Sequence, residues 1–132
     1  MKALLDTHVL LWWVSGDPRL SSAQRKVIEA AGEDEPLWLS DITLWEIATL
    51  SALRRIELEI PLRDWLERAT AAPLVQCLPI SPAVAAEVAA LPSTFHRDPA
   101  DRIIVASARV LGATLLTRDR GIIDANVVAT LA

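Results

Sequence analysis

The sequence predicts one α/β domain spanning residues 1–132: a three-layer α/β/α sandwich around a mainly parallel sheet of about five short strands. Two patterns carry that prediction. Short apolar runs of strand-forming residues alternate along the chain with longer segments of helical periodicity. The runs, of which Ala113–Thr117 is the clearest, are apolar at consecutive positions, as in a parallel strand covered on both faces. A hydrophobic content of 52% over 132 residues provides enough apolar surface for one core and argues against a disordered chain.

Taken in order, Lys2–Asp6 reads as a buried strand and His8–Val14 as the start of a helix behind it. Gly16-Asp17-Pro18 breaks that helix, and Ser21 or Ser22 caps the next, which runs to about Gly32. Leu37–Ser40 is a second strand. Ile42–Leu53 is a strongly apolar helix with Ser40 or Asp41 as its cap. Pro61–Ala71 is amphipathic, with Trp65 and Leu66 inward and Arg63, Glu67 and Arg68 outward. Val75–Ile80 reads as a strand and Pro82–Leu91 as a helix opened by Ser81-Pro82. A helix entered through His96-Arg97-Asp98-Pro99 runs to about Leu111 and stops at Gly112. The Ala113–Thr117 strand follows, then a loop or short helix over Arg118–Asp124 and a last strand over Asn126–Leu131. No repeat, low-complexity tract or interdomain linker interrupts this order.

Bulk properties narrow the function. A net charge of −4 gives no general attraction to nucleic acid, so any polyanion must be met by a local basic patch or a bridging cation. Arginines outnumber lysines, of which there are only Lys2 and Lys26, and the guanidinium fork suits phosphate and carboxylate. Cys77 is alone, which excludes an intrachain disulfide and disfavours a thiolate metal site. The apolar opening is interrupted by Asp6 and His8 and lacks the marks of a signal peptide, and no run is long enough to cross a bilayer. A cytoplasmic location is the expectation.

Four carboxylates interrupt or end apolar runs: Asp6, Glu46, Asp101 and Asp119. A charge in such surroundings is costly without compensation. The predicted topology brings the four together, because ligands of parallel α/β sheets bind outside the carboxyl ends of the strands. Asp6 closes the first strand, and Asp119 follows Ala113–Thr117 at the same edge. Asp101 lies in the first turn of the helix leading into that strand, so it starts from that edge too. Glu46 sits roughly 7–9 Å along the helix after the second strand, a distance much of which a Glu side chain can span. Each acid also has a plainer reading. Asp6 could be a helix cap, Glu46 a surface residue without a basic partner one turn away, and Asp119 part of a charged turn. Asp98 and Asp101 compete for one role. Asp98 precedes Pro99 and suits the N-cap, leaving Asp101 as ligand; reversed or shared roles are the alternative.

An oxygen-only ligand set favours Mg²⁺ or Mn²⁺, hard cations that keep waters and bind substrate phosphate. Phosphodiester hydrolysis uses those properties best.

The segments LLDTHVLLWW, SDITLWEIA, HRDPADRIIVASA and GATLLTRDRGI, in this order and spacing across nearly the whole chain, resemble the PIN-domain ribonucleases, and most closely the VapC-type toxins of toxin–antitoxin pairs. The resemblance implies that Asp6, Glu46, Asp101 and Asp119 bind Mg²⁺ or Mn²⁺ and catalyse RNA cleavage to a 5′-phosphate and a 3′-hydroxyl. Thr7 and Thr117 match polar positions beside the acids. A homodimer and a cognate antitoxin whose tail blocks the site are implied as well. The chain departs from many relatives in having Ile122 or Ile123 for an aromatic residue, Ala125 or Asn126 for a Tyr, and Leu53-Arg54-Arg55-Ile56 where a Gly is common.

Arg97, Arg102, Arg118 and Arg120 flank the acids and form a candidate RNA- or antitoxin-binding surface, with solvated ion pairs as the alternative for any one of them. His8 and His96 are read as structural or cap-adjacent, with acid catalysis or phosphate contact as the alternative. Trp12, Trp13 and Trp45 are read as core or dimer packing before base stacking, and Cys77 as a buried strand residue. Two rival functions remain: a PIN-like fold that binds or dimerises without turnover, and a Mg²⁺-binding phosphoacceptor domain. The second lacks the Lys that such a design needs after a late strand.

Overall fold

The computed structural model describes residues 1–132. Its elements, in chain order, are β1 (Ala3–Leu5), α1 (Thr7–Ser15), α2 (Ser22–Glu29), β2 (Leu37–Ser40), α3 (Asp41–Ala52) and α4 (Leu62–Ala69). They continue with β3 (Val75–Leu78), α5 (Pro82–Ala90), α6 (Pro99–Leu111), β4 (Thr114–Leu116), α7 (Arg120–Ala125) and β5 (Thr130–Leu131). The strands form one sheet in the order β3-β2-β1-β4-β5, and every pairing is parallel.

Side chains alternate between the faces of a strand, and here both faces are apolar. Ala3, Leu5, Leu37, Leu39, Val75 and Leu116 pack on one face with Val9 and Leu10 of α1, Ile28 of α2, Ile47 of α3 and Trp65 of α4. Leu4 and Leu115 point the other way, onto Ile104, Val105 and Ala108 of α6 and Ile122 of α7. The result is the expected three-layer sandwich. Trp12 and Trp13 pack against the first cluster, as does the half-buried Cys77. Trp45 does not join the core: it is 58% exposed on α3.

Local chemistry sets the helix ends. Ser21 caps α2 through a capping box with Gln24, and Ser40 caps α3 by accepting from the Ile42 amide, which makes Asp41 the first helical residue. Gly16 and Gly112 close α1 and α6 in the left-handed conformation that glycine adopts without strain. Arg54, in the segment Leu53-Arg54-Arg55-Ile56, also takes that conformation, with φ 56°, a geometry that costs an ordinary residue about 1–2 kcal/mol.

The first and fourth strands each lose one residue at either end, to Ala3–Leu5 and Thr114–Leu116, and the other two shortened strands have identifiable causes. β3 stops at Leu78, because Pro79 has no amide hydrogen to continue the ladder. The last strand starts at Thr130 rather than Asn126, because Asn126 is the left-handed cap of α7 and Val127 and Val128 pack on the second core cluster. No helix is long and apolar enough to cross a membrane.

The strand order matters for function. The chain grows outward from β1 to β2 and β3, then returns to place β4 and β5 on the other side of β1. β1 and β4 therefore flank the point where the winding reverses, and the crevice beyond their carboxyl ends is the expected ligand position.

Candidate active site

Beyond those strand ends lies a cavity of about 330 Å³. Asp6, Glu46, Asp98, Asp101 and Asp119 line it, together with His8, Trp12 and Arg118. The four acids of the sequence prediction thus meet in one place.

Asp6 is the most enclosed of them, at 6% exposure. It follows β1 directly and caps α1, its Oδ1 accepting from the Thr7 amide at 2.8 Å. Its Oδ2 accepts from the Thr117 hydroxyl at 2.7 Å. Thr117 follows β4, and its Oγ1 also accepts from the Asp119 amide at 3.1 Å, so one hydroxyl ties together the ends of the two central strands. Thr7, fully buried, donates to Thr43 Oγ1 of α3 at 3.1 Å. Asp119 caps α7 through the Ile122 amide at 3.1 Å.

The opposite wall is arranged differently. Glu46 of α3, Asp98 and Asp101 each present a carboxylate oxygen, all within 4.8 Å of one another. Asp98 is the N-cap of α6, accepting from the Asp101 amide at 3.1 Å. The geometry therefore does not separate cap from ligand: Asp98 is the cap and also faces Glu46 and Asp101. His96 Nε2 lies 2.8 Å from Asp101 Oδ2, and its ring stacks on Phe95 with centroids 4.3 Å apart. Glu46 Oε1 is buried without a hydrogen-bond partner.

Electrostatics follow from this crowding. Burial pushes the Asp6 carboxyl above its usual range, against the Thr117 and Thr7 hydrogen bonds that favour its charged form. Burial raises Glu46 as well; the nearby Thr7 hydroxyl opposes that rise, and repulsion from Asp6 and Asp98 adds to it. Asp101 is pushed up to about 7, first by burial and then by Asp6, Asp98 and Asp119, with the His96 hydrogen bond opposing. The donor set is hard oxygen throughout, one buried oxygen is unsatisfied, and the charge is uncompensated. These features fit a divalent cation bound among Glu46, Asp98 and Asp101, with Asp6 and Asp119 on the same cavity.

The arginines divide. Arg118 lines the acidic cavity, and Arg120 lines a neighbouring one. Arg97 is exposed and lines neither of the two. Arg102 is engaged within the fold: its guanidinium donates to the carbonyls of Phe95, His96 and Val88 and lies over the Phe95 ring. It holds the segment entering α6.

Sequence reasoning missed Thr43 and undervalued His96. Thr43 stands three residues before Glu46, a spacing that puts both on one helix face, and that was the available signal. His96 was legible only as a neighbour of the cap; its contact to Asp101 requires the chain to turn back across Asp98-Pro99.

Comparison with known proteins identifies the family of the fold. A profile of the PIN domain matches residues 3–128. Ribonuclease VapC22 of Mycobacterium tuberculosis is 44% identical over 117 residues, covering 89% of this chain and 86% of the relative. Among solved structures, FitAcB from Neisseria gonorrhoeae superposes with a TM-score of 0.71 at 27% identity, covering 98% of this chain and 96% of that one. VapBC2 from Rickettsia felis, bound to a promoter DNA fragment, superposes with a TM-score of 0.74 at 14% identity, covering 99% and 98%. With the sequence match running nearly end to end and the same fold beneath it, the chain belongs to the PIN domain family.

Proposed function

We propose that this protein is a Mg²⁺- or Mn²⁺-dependent endoribonuclease and the toxin of a two-component toxin–antitoxin module. The observation that carries the reading is the convergence of Glu46, Asp98 and Asp101 within 4.8 Å, with Asp6 and Asp119 on the same cavity. The 44% identity to a VapC ribonuclease supports RNA as the substrate. A divalent cation held by these carboxylates would polarise a phosphoryl oxygen, acidify a bound water and offset charge developing during phosphodiester hydrolysis.

The protein's own residues prepare that chemistry. Thr7 and Thr117 fix both oxygens of Asp6, so this carboxylate has one orientation. The α7 cap orients Asp119, and His96 orients Asp101. Arg118, at the rim, meets the substrate phosphate with a charge opposite to that of the acidic walls.

The same reading gives the chain a protein antitoxin as partner and a homodimeric state. The solved structures of similar fold include a toxin–antitoxin complex, and Trp45 of α3 and its C-cap residue Leu53, each 58% exposed, are large apolar side chains suited to burial in an assembly.

The test is cleavage of single-stranded RNA with Mg²⁺ or Mn²⁺, with EDTA, and with Asp6→Asn. Cleavage is expected only with metal and wild-type protein. Activity that survives both chelation and the substitution excludes the mechanism.

A further inference from the structure

A second cavity, of about 370 Å³, adjoins the acidic one and shares Trp12 and Arg118 with it. Its chemistry is the reverse. Arg19, Arg118 and Arg120 converge on it, and Ile123 and Ala132 complete the wall. Three arginines in one hollow are notable in a chain of net charge −4 that has few other basic clusters.

Their existing contacts leave donors free. Arg19 forms two bonds to the Asp17 carboxylate, at 3.1 and 2.8 Å, which hold its guanidinium 5.1 Å over the Trp12 ring. Arg118 donates one N–H to the Arg19 carbonyl at 3.0 Å. Arg120 has only a distant, exposed pairing with Asp124 at 3.8 Å. A guanidinium carries five N–H donors, so each arginine can still reach an anion. Trp12 is half-buried, rooted in the first core cluster, and its ring borders both cavities.

We propose that Trp12, Arg19, Arg118 and Arg120 form a second nucleotide subsite, binding the stretch of a single-stranded RNA next to the phosphate held in the acidic cavity. The inference rests on the nuclease reading for the identity of the strand. An aromatic face reinforced by a guanidinium is a stacking platform for any base, and arginine forks take the neighbouring phosphate. An acidic peptide would use the arginines but has no use for a stacking platform. The arrangement also accounts for how a chain of negative net charge would hold RNA: the strand would run from an acidic hollow whose carboxylates would hold a cation into an arginine-lined one.

The experiment measures binding of a short single-stranded RNA oligonucleotide in EDTA over a range of salt, and steady-state cleavage of the same oligonucleotide with Mg²⁺. Arg120→Gln removes the arginine with the weakest structural ties, and Trp12→Leu removes the platform while keeping an apolar side chain; thermal melts check folding. Trp12→Leu is expected to weaken binding on the order of tenfold. Arg120→Gln is expected to lower the salt slope by about 0.7, the value for one phosphate contact on a single strand. Both raise KM and leave kcat near wild type, and Arg120→Lys falls between.

Wild-type RNA binding and KM in folded Arg120→Gln and Trp12→Leu overturn the subsite. So does a Glu-rich peptide that binds through Arg120 while RNA binding ignores it. Absence of metal-dependent cleavage, with EDTA binding still sensitive to both substitutions, sinks the nuclease reading and leaves the subsite standing.

Discussion

The two walls of the acidic cavity carry the same functional group and treat it oppositely. On the strand side, Asp6 has both oxygens bonded, to the Thr7 amide and the Thr117 hydroxyl. On the helix side, Glu46, Asp98 and Asp101 crowd within 4.8 Å, and Glu46 Oε1 has no partner at all. On the first wall each oxygen of Asp6 has a donor; on the second, three carboxylates cluster and one buried oxygen has no hydrogen-bond partner. Function and stability should therefore separate. Changes on the strand wall disturb a network, while neutral changes on the helix wall relieve a repulsion.

The largest expected effect comes from Glu46→Gln. It removes a metal-facing charge, so RNA cleavage should fall by ~10²-fold or more, the scale of several kcal/mol of lost transition-state stabilisation. The same substitution should raise the melting temperature of the metal-free protein near pH 8, because Glu46 is half-buried and repelled by Asp6 and Asp98. A lowered metal-free melting temperature would break the contrast, since it would make Glu46 part of the structural framework.

Thr117→Val probes the other wall. The valine is nearly isosteric, but it leaves Asp6 Oδ2 and the Asp119 amide without their shared hydroxyl. Loss of an outer partner of this kind typically costs 10–100-fold in activity or metal affinity, so cleavage should drop by about that range. Stability should drop too, opposite in sign to Glu46→Gln. Parallel melts and cleavage assays of the two variants check the pair of signs.

Much of this was legible in the sequence, for a definable reason. Asp6, Asp101 and Asp119 each sit at the end of an element whose type and direction follow from local pattern, so topology alone converges them. Glu46 needed only a helix rise. What stayed hidden depends on side-chain direction and chain reversal. Arg102 turns back onto the carbonyls of Val88, Phe95 and His96, and His96 reaches over the cap to Asp101. The extra length given to the last strand has the same origin: Val127 and Val128 carry strand propensity but pack on the second cluster after a left-handed Asn126. Propensity reads local preference, and tertiary packing overrode it.

The raised carboxyls of both walls also predict how stability follows pH. The carboxyls of Asp6, Glu46 and Asp101 are all raised, so the folded, metal-free protein binds more protons than the unfolded chain. Their contribution is fully present below the unfolded pKa, 3.8 for an Asp, and is lost as pH rises through the folded value, about 7 for Asp101. Metal-free protein should therefore lose stability between those limits. Saturating Mg²⁺ or Mn²⁺ should restore it at the upper end, by about 2.7 kcal/mol at a hundred times the Kd. Melts across pH with EDTA and with metal measure both arms. A metal-free profile that is flat or rising over this interval would remove the account in which burial, with mutual repulsion added, raises these carboxyls.

The smallest effect tests how far the rigid wall extends. Thr43 accepts from Thr7 at 3.1 Å, joining α3 to the end of β1 on the same helix face as Glu46. Thr43→Val keeps the shape and leaves the Thr7 hydroxyl without its acceptor, at a cost of about 1–3 kcal/mol for an unsatisfied buried group. Thr7 still gives its amide to Asp6, so the orientation of Asp6 is retained. Melting temperature should fall while kcat stays within a few-fold of wild type. A large loss of kcat at unchanged stability would instead make the Thr7–Thr43 bond part of the catalytic alignment, and the line between a self-sufficient wall and a metal-dependent one would then run through α3 itself.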